Sequence, residues 1–333
     1  MRVALMLAAV TAGAIALAGC GGDDGGNGKT SSGDISPEYE AALAKAASPK
    51  ASDFPATKGR SLRAVANTTQ AAGAQVGLAT SVLTPGENRL AFGVIGQDQK
   101  LVYGPTAVYV AQRPDAKARG PFLAPADSLV TEPAFRSQTA AAESDAIAAI
   151  YASAIEFDEP GKAAVLTVTN VDGKLIGATT QVNVLKDDPV VSVGEEAPKV
   201  ATDTLASLGG DEEKLCTRKP VDDMHGKSLD EVLGQKPVAL LFATPQLCQS
   251  RVCGPVVDIA EQMKQEFGDR VEFIHQEVYV DNDVNKGLRD PLKAFGLPTE
   301  PWLFVIDSDG RVASRLEGSF GVNAFRNALE SVS

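Results

Sequence analysis

The strongest constraint on the fold of this chain is a change of hydrophobic period on either side of residue 250. Residues 237–242 read PVALLF, an unbroken apolar run. Such a run suits a central strand buried on both faces. Just beyond it, Val256, Ile259, Ala260, Met263 and Phe267 recur at three- and four-residue spacing, the period of a helix with one buried face. The alternation continues. Residues 271–280 predict a second strand, 288–295 a helix and 302–306 a third strand. Asp307-Ser308-Asp309-Gly310 turns into a fourth strand at 311–316, and Val322, Phe325, Leu329 and Val332 mark a last helix. Strand, helix, strand, helix, strand, strand, helix describes an α/β domain, placed at 193–333 beyond a boundary at Lys186-Asp187-Asp188-Pro189.

Residues 60–187 carry a different pattern. Residues 76–83 are rich in strand formers, Pro85-Gly86-Glu87-Asn88 signals a turn, and Leu90, Phe92 and Val94 alternate with small or polar residues. Residues 107–111 form another strand candidate, and 163–171 and 175–185 flank Asp172-Gly173 as a hairpin. Short strands separated by turns predict an all-β sandwich. The Pro-rich stretch 113–133 and the alanine-rich, helical pattern at 140–149 read as an insertion on one edge. Glu159-Pro160-Gly161-Lys162 resembles a turn frequent in immunoglobulin-like domains of extracytoplasmic proteins. That likeness implies an immunoglobulin-like sandwich serving as a spacer or a partner-binding module. A short helix is expected at 37–47, with Tyr39, Ala42, Leu43 and Ala46 on one side.

Arg2 precedes an apolar stretch at 3–17, near the lower limit for a spanning helix and better suited to a secretory signal. Leu17-Ala18-Gly19-Cys20 resembles the lipobox of bacterial lipoproteins. That resemblance implies a signal peptide at 1–19, lipid on Cys20 and attachment to the outer face of the cell membrane. Residues 20–36, opening with Gly21-Gly22-Asp23-Asp24-Gly25-Gly26, read as a flexible tether. The net charge of -12 argues against nucleic acid and against charge-driven binding to anionic lipid.

Four cysteines carry the chemistry: Cys20, Cys216, Cys248 and Cys253. Cys248 and Cys253 stand in Leu247-Cys248-Gln249-Ser250-Arg251-Val252-Cys253-Gly254-Pro255, between the first long strand and its helix. A thiolate is the nucleophile of exchange chemistry, and a helix N-terminus stabilises it. Pro255 suits the first helical turn, and Arg251 adds a cation nearby. Electrostatics favours Cys253 as the lower-pKa thiol, while a loop position favours Cys248 as the more accessible one. A permanent disulfide between them is the alternative in an oxidising compartment.

Three segments carry a family resemblance: Val193-Gly194-Glu195-Glu196-Ala197-Pro198, residues 228–244 (SLDEVLGQKPVALLFAT), and residues 295–307 (FGLPTEPWLFVID). Over about residues 193–333 the chain resembles extracytoplasmic thioredoxin-like domains. The resemblance implies a thiol-disulfide oxidoreductase that needs no cofactor and acts on protein thiols or disulfides outside the cytoplasm. Cys248 and Cys253 would be its redox pair. Pro301, rather than Pro298, would be its cis-proline by spacing to Phe304, Asp307 and Gly310. Two departures stand out. Four residues separate the cysteines instead of two, with Val256 in the second cysteine's usual place. Glu300 precedes Pro301 where the family has a small or β-branched residue, and a carboxylate facing sulfur raises a thiol pKa. A redox-inactive binding scaffold and a copper-handling protein are the competing readings. Copper-delivery relatives use a His from the loop before the 302–306 strand, where Leu297-Pro298-Thr299-Glu300 has none, so no metal centre is expected. His275 is expected in the core or at a sheet edge, and Cys216 as a buried inert thiol. His225, Asp222-Asp223 and Asp281-Asn282-Asp283 are expected in solvated loops.

Overall fold

The structure is a computed structural model and describes residues 37–71, 73–138, 147–248 and 253–333. The expected leader and tether, Cys20, most of 140–149 and Arg251 lie outside the described residues.

The first half builds strands β1 (Gln75–Leu78), β2 (Gly86–Ile95), β3 (Thr106–Ala111), β4 (Arg119–Leu123), β5 (Ala126–Ser128), β6 (Ala149–Phe157), β7 (Gly161–Val171) and β8 (Lys174–Val184). They form two four-stranded sheets, ordered β1-β2-β6-β5 and β4-β3-β7-β8, with antiparallel pairing throughout. Leu90, Phe92 and Val94 of β2 and Tyr151 and Ile155 of β6 share one core with Val108, Val110, Val165 and Val182 from the other sheet. Asp172 (φ 48°) and Gly173 (φ 82°) both take left-handed conformations at the β7–β8 turn, the mirror-image geometry that matches strand twist. Helix α1 (Pro37–Ala46) packs Ala42, Leu43 and Ala46 onto the same core.

The expected insertion is instead part of the sheets. Residues 119–128 supply β4 and β5, and β6 begins at Ala149. Ala149, Tyr151, Ser153, Ile155 and Phe157 are buried while Ala154 and Glu156 are exposed. That is a period of two, and a place between β2 and β5 overrides the helix preference of its alanines. Pro121 falls on β4, an edge strand, at a register shift opposite Val108–Val110 of β3, the two settings in which a strand tolerates a missing N–H.

The second half follows the expected order. Its sheet is β10-β9-β11-β12, built from β9 (Val238–Phe242), β10 (Glu272–Gln276), β11 (Trp302–Ile306) and β12 (Val312–Glu317). β10 runs parallel to β9, and β11 is antiparallel to both β9 and β12. Helices α2 (Leu62–Ala66), α3 (Glu212–Leu215), α4 (Leu229–Val232), α5 (Cys253–Phe267), α6 (Asp290–Phe295) and α7 (Val322–Glu330) complete the α-helices named here. Ala239 and Leu241 of β9 face Val256, Ile259, Met263 and Phe267 of α5 and Phe325 and Leu329 of α7. Val238, Leu240 and Phe242 face Leu292 and Phe295 of α6 and Leu229 of α4. Both faces of β9 are therefore covered, which is why residues 237–242 are apolar without alternation. The order of strands and helices is the one expected for residues 193–333.

The two halves meet through a continuous core. Ala91, Leu129 and Ile150 pack with the α5–α7 layer. The Asp127 carboxylate accepts from the Asn323 and Ala324 amides at 3.0 and 2.8 Å, filling unpaired donors at the start of α7. Glu317 of β12 accepts from the Ser81 amide at 2.8 Å and the Val82 amide at 3.0 Å. Arg89 donates to the carbonyls of Glu317 and Ser319 at 3.1 and 2.9 Å.

Candidate thiol site

β9 ends at Phe242 and the chain turns through residues 245–247 to Cys248, whose amide donates to the Thr244 carbonyl at 3.2 Å. Cys253 lies in the first described turn of helix α5. Cys248 is half-buried and Cys253 fully buried. Cys248 packs against the core cluster that contains Cys253.

Burial pushes the Cys253 thiol well above the usual range, and Cys248 and the Glu300 carboxylate push it further, against a backbone contact from Thr244. Burial, not helix polarity, therefore sets the direction of the Cys253 shift. A helix N-terminus offers about 0.3–1 kcal/mol to a negative charge. Full burial can move a pKa by about 3–5 units, each worth about 1.4 kcal/mol. Desolvation wins.

The Glu300–Pro301 peptide is cis. Pro301 is buried at the entrance to β11, whereas Pro298 is exposed. Glu300 is half-buried, and burial and the adjacent Cys248 raise its carboxyl pKa. Tyr279, beyond β10, belongs to the same neighbourhood. Its phenol is raised by burial and then by Glu300, Cys248 and Cys253. Sequence reasoning missed Tyr279, because a lone loop tyrosine carries no motif.

Cys216, His225 and His275 are brought together elsewhere, with Asp222. His225 and Asp222 are not in a solvated loop: they are 5% exposed each. β10 is an edge strand of its sheet, and segment 216–228 covers that edge, the His275 amide donating to the Met224 carbonyl at 3.0 Å. Covering an exposed edge is a common way to silence it. Arg218 holds the segment down, donating to Asp258 Oδ1 at 2.9 Å and to the Pro220 and Phe135 carbonyls at 2.8 Å each. Burial pushes the Asp222 carboxyl up, but the His275 charge and contacts with both imidazoles outweigh it and hold the group well below the carboxylate range. Burial likewise opposes a charged His275, and Asp222 outweighs it, so the imidazole pKa is raised well above normal. Cys216-x5-Asp222-x2-His225 was the available sequence signal, but it lacked its fourth member.

No protein-family model matches the chain, and no curated protein matches it. Among solved structures, the chain is similar to a protein from Chlorobium tepidum named as a thiol:disulfide interchange protein DsbE. The identity is 15% and the TM-score 0.32, over 43% of this chain and 99% of that one.

Proposed function

We propose that this chain is a lipid-anchored, extracytoplasmic thiol-disulfide exchange protein that works through Cys248 and Cys253. One observation carries the reading: Cys248 packs against the core cluster that holds Cys253 of α5, and both cysteines act electrostatically with Glu300, which precedes a cis-proline. Half-buried Cys248 is the attacking sulfur and buried Cys253 the resolving one.

The cycle balances without a cofactor. The Cys248 thiolate attacks one sulfur of a partner disulfide; that S–S bond breaks, a mixed disulfide forms, and the partner's other sulfur leaves as a thiolate. Cys253 then loses its proton to solvent and attacks the Cys248 sulfur. The second partner sulfur leaves, the partner has gained two electrons, and Cys248 and Cys253 are joined. The reverse sequence oxidises a partner dithiol. Mutual repulsion between the two neighbouring sulfurs keeps Cys253 protonated while Cys248 is a thiolate. Lipid on Cys20 and the 20–36 tether hold the protein near the membrane, and the paired sheets act as an immunoglobulin-like module that docks partners.

The test is covalent trapping in cells. Cys253→Ser is expected to accumulate mixed disulfides through Cys248, and Cys248→Ser to accumulate none. If neither variant traps a partner and the wild-type pair never changes oxidation state across a glutathione redox series, the exchange reading is lost. Metabolic labelling with a fatty acid, abolished in Cys20→Ser, checks the anchor separately.

A further inference from the structure

We propose that Cys216, Asp222, His225 and His275 form a closed, four-ligand site for a zinc-type divalent cation. The donors are the Cys216 sulfur, one Asp222 oxygen and one ring nitrogen from each histidine, all within 4.8 Å of one another and all buried. Cys216 Sγ lies 3.1 Å from Asp222 Oδ2 and 3.8 Å from His275 Nδ1. His275 Nδ1 is 2.8 Å from Asp222 Oδ2, and His225 Nε2 is 3.1 Å from Asp222 Oδ1. Tetrahedral zinc, with bonds of about 2.0–2.3 Å, separates its donors by about 3.3–3.6 Å. The four separations above depart from that range by about half an ångström or less, and donor pairs up to 4.8 Å apart would close by up to about 1.2 Å on loading.

Two further observations point to a ligand. His275 Nε2 lies 3.1 Å from the Ala243 carbonyl. Donating there fixes the proton on Nε2 and turns the Nδ1 lone pair into the cluster, the outer-shell arrangement that orients metal-binding histidines. His225 is 5% exposed, yet neither of its ring nitrogens has a hydrogen-bond partner among the described residues. Its approach to Asp222 Oδ1 is close but misdirected for a hydrogen bond. A buried imidazole in that condition costs stability unless something else takes its lone pair.

The donor set selects the ion. One carboxylate among a thiol and two imidazoles is too poor in oxygen for calcium or magnesium, and a hard oxygen ligand disfavours Cu(I). Thiolate, carboxylate and neutral imidazole together suit zinc, and four protein ligands with no open position make the site structural rather than catalytic. On loading, Cys216 releases its thiol proton, as does any histidine that was charged. The doubly positive ion then balances one thiolate and one carboxylate, so the buried site is neutral. The cation would pin segment 216–225 to β10. It would also steady the approach to Cys248, because the Gln246 amide donates to Thr217 Oγ1 at 3.2 Å.

The experiment uses the full chain with Cys20, Cys248 and Cys253 all changed to Ser, leaving Cys216 as its only thiol. The protein is unfolded with chelator, refolded, and titrated with Co2+ and then Zn2+. One Co2+ per chain is expected, with the intense visible bands of tetrahedral cobalt and a near-ultraviolet thiolate-to-cobalt band; Zn2+ should bleach both and raise Tm. Cys216→Ser should remove the charge-transfer band. His225→Gln removes one ligand, so the zinc-dependent rise in Tm, read against that variant's own metal-free Tm, should disappear. A natively folded parent that binds no Co2+, or whose cobalt spectrum is unchanged by Cys216→Ser and whose Tm ignores Zn2+, overturns the proposal. Redox trapping plays no part in these readouts, so they stand or fall apart from thiol exchange.

Discussion

Two buried cysteines in the same domain, Cys253 and Cys216, are surrounded by opposite chemistries. Cys253, in the first described turn of α5, has a second thiol, Glu300 and Tyr279 in its neighbourhood. Cys216 lies against an acid and two imidazoles in the covering segment of β10. Both are 1% exposed or less. Burial alone therefore does not assign a thiol its role; the neighbouring donors and the route to solvent do. A sulfur paired with a half-exposed thiol can exchange, whereas a sulfur enclosed by nitrogen and oxygen donors can only ligate or stay inert.

The largest expected effect comes from releasing the segment that encloses Cys216. Arg218 and Asp258 have side chains 5% and 2% exposed and meet at 2.9 Å. Arg218→Ala strands a buried carboxylate and should cost about 3–5 kcal/mol in urea unfolding at neutral pH. Arg218→Ala/Asp258→Ala should cost less than the sum of the single changes. A cost near zero for Arg218→Ala would mean that the covering segment contributes nothing to stability.

Alkylation of the reduced protein sharpens the contrast at intermediate size. With iodoacetamide near neutral pH, Cys248 is expected to be modified first and Cys216 only after unfolding, as read by peptide mass spectrometry. In Cys248→Ser, Cys253 should react appreciably only when pH rises well above the ordinary thiol pKa of about 8.5. Fast labelling of Cys216 in the folded protein would erase the distinction between the two centres.

Glu300→Gln should have the smallest effect. Glu300 and Cys248 oppose each other's negative charge, so removing the carboxylate should lower the Cys248 pKa. A shift of about one unit raises the thiolate fraction at neutral pH by up to about tenfold. The sign follows from the raised carboxyl pKa. Below it Glu300 is neutral and the variant and wild type should react alike; above it the wild type should fall behind. A slower Glu300→Gln variant would show that this carboxylate assists rather than restrains the thiol.

Much of this was legible along the chain. The unbroken run at 237–242 announced a strand covered on both faces, and β11 falls at 302–306 as expected. Spacing picked Pro301 over Pro298, and the cis bond lies there. The misses share a cause. β6 at Ala149–Phe157 was not recognised, because the two flanking strands that hold it in a sheet are far away in sequence. The upward shift of the Cys253 thiol had no sequence signal, because helix polarity is local, whereas the burial that outweighs it comes from tertiary packing.

What the chain by itself determined is the set of repeating patterns: which stretches become strands or helices, which faces are apolar, and which two cysteines flank the start of α5. These depend on neighbours a few residues apart. Tertiary structure alone decided the depth of Cys253, the capture of segment 216–228 by an open sheet edge, and the meeting of Cys216 with His275 across 59 residues of chain. Such convergence has no periodic signature, because it depends on which edge the fold leaves uncovered and what lies close enough to cover it.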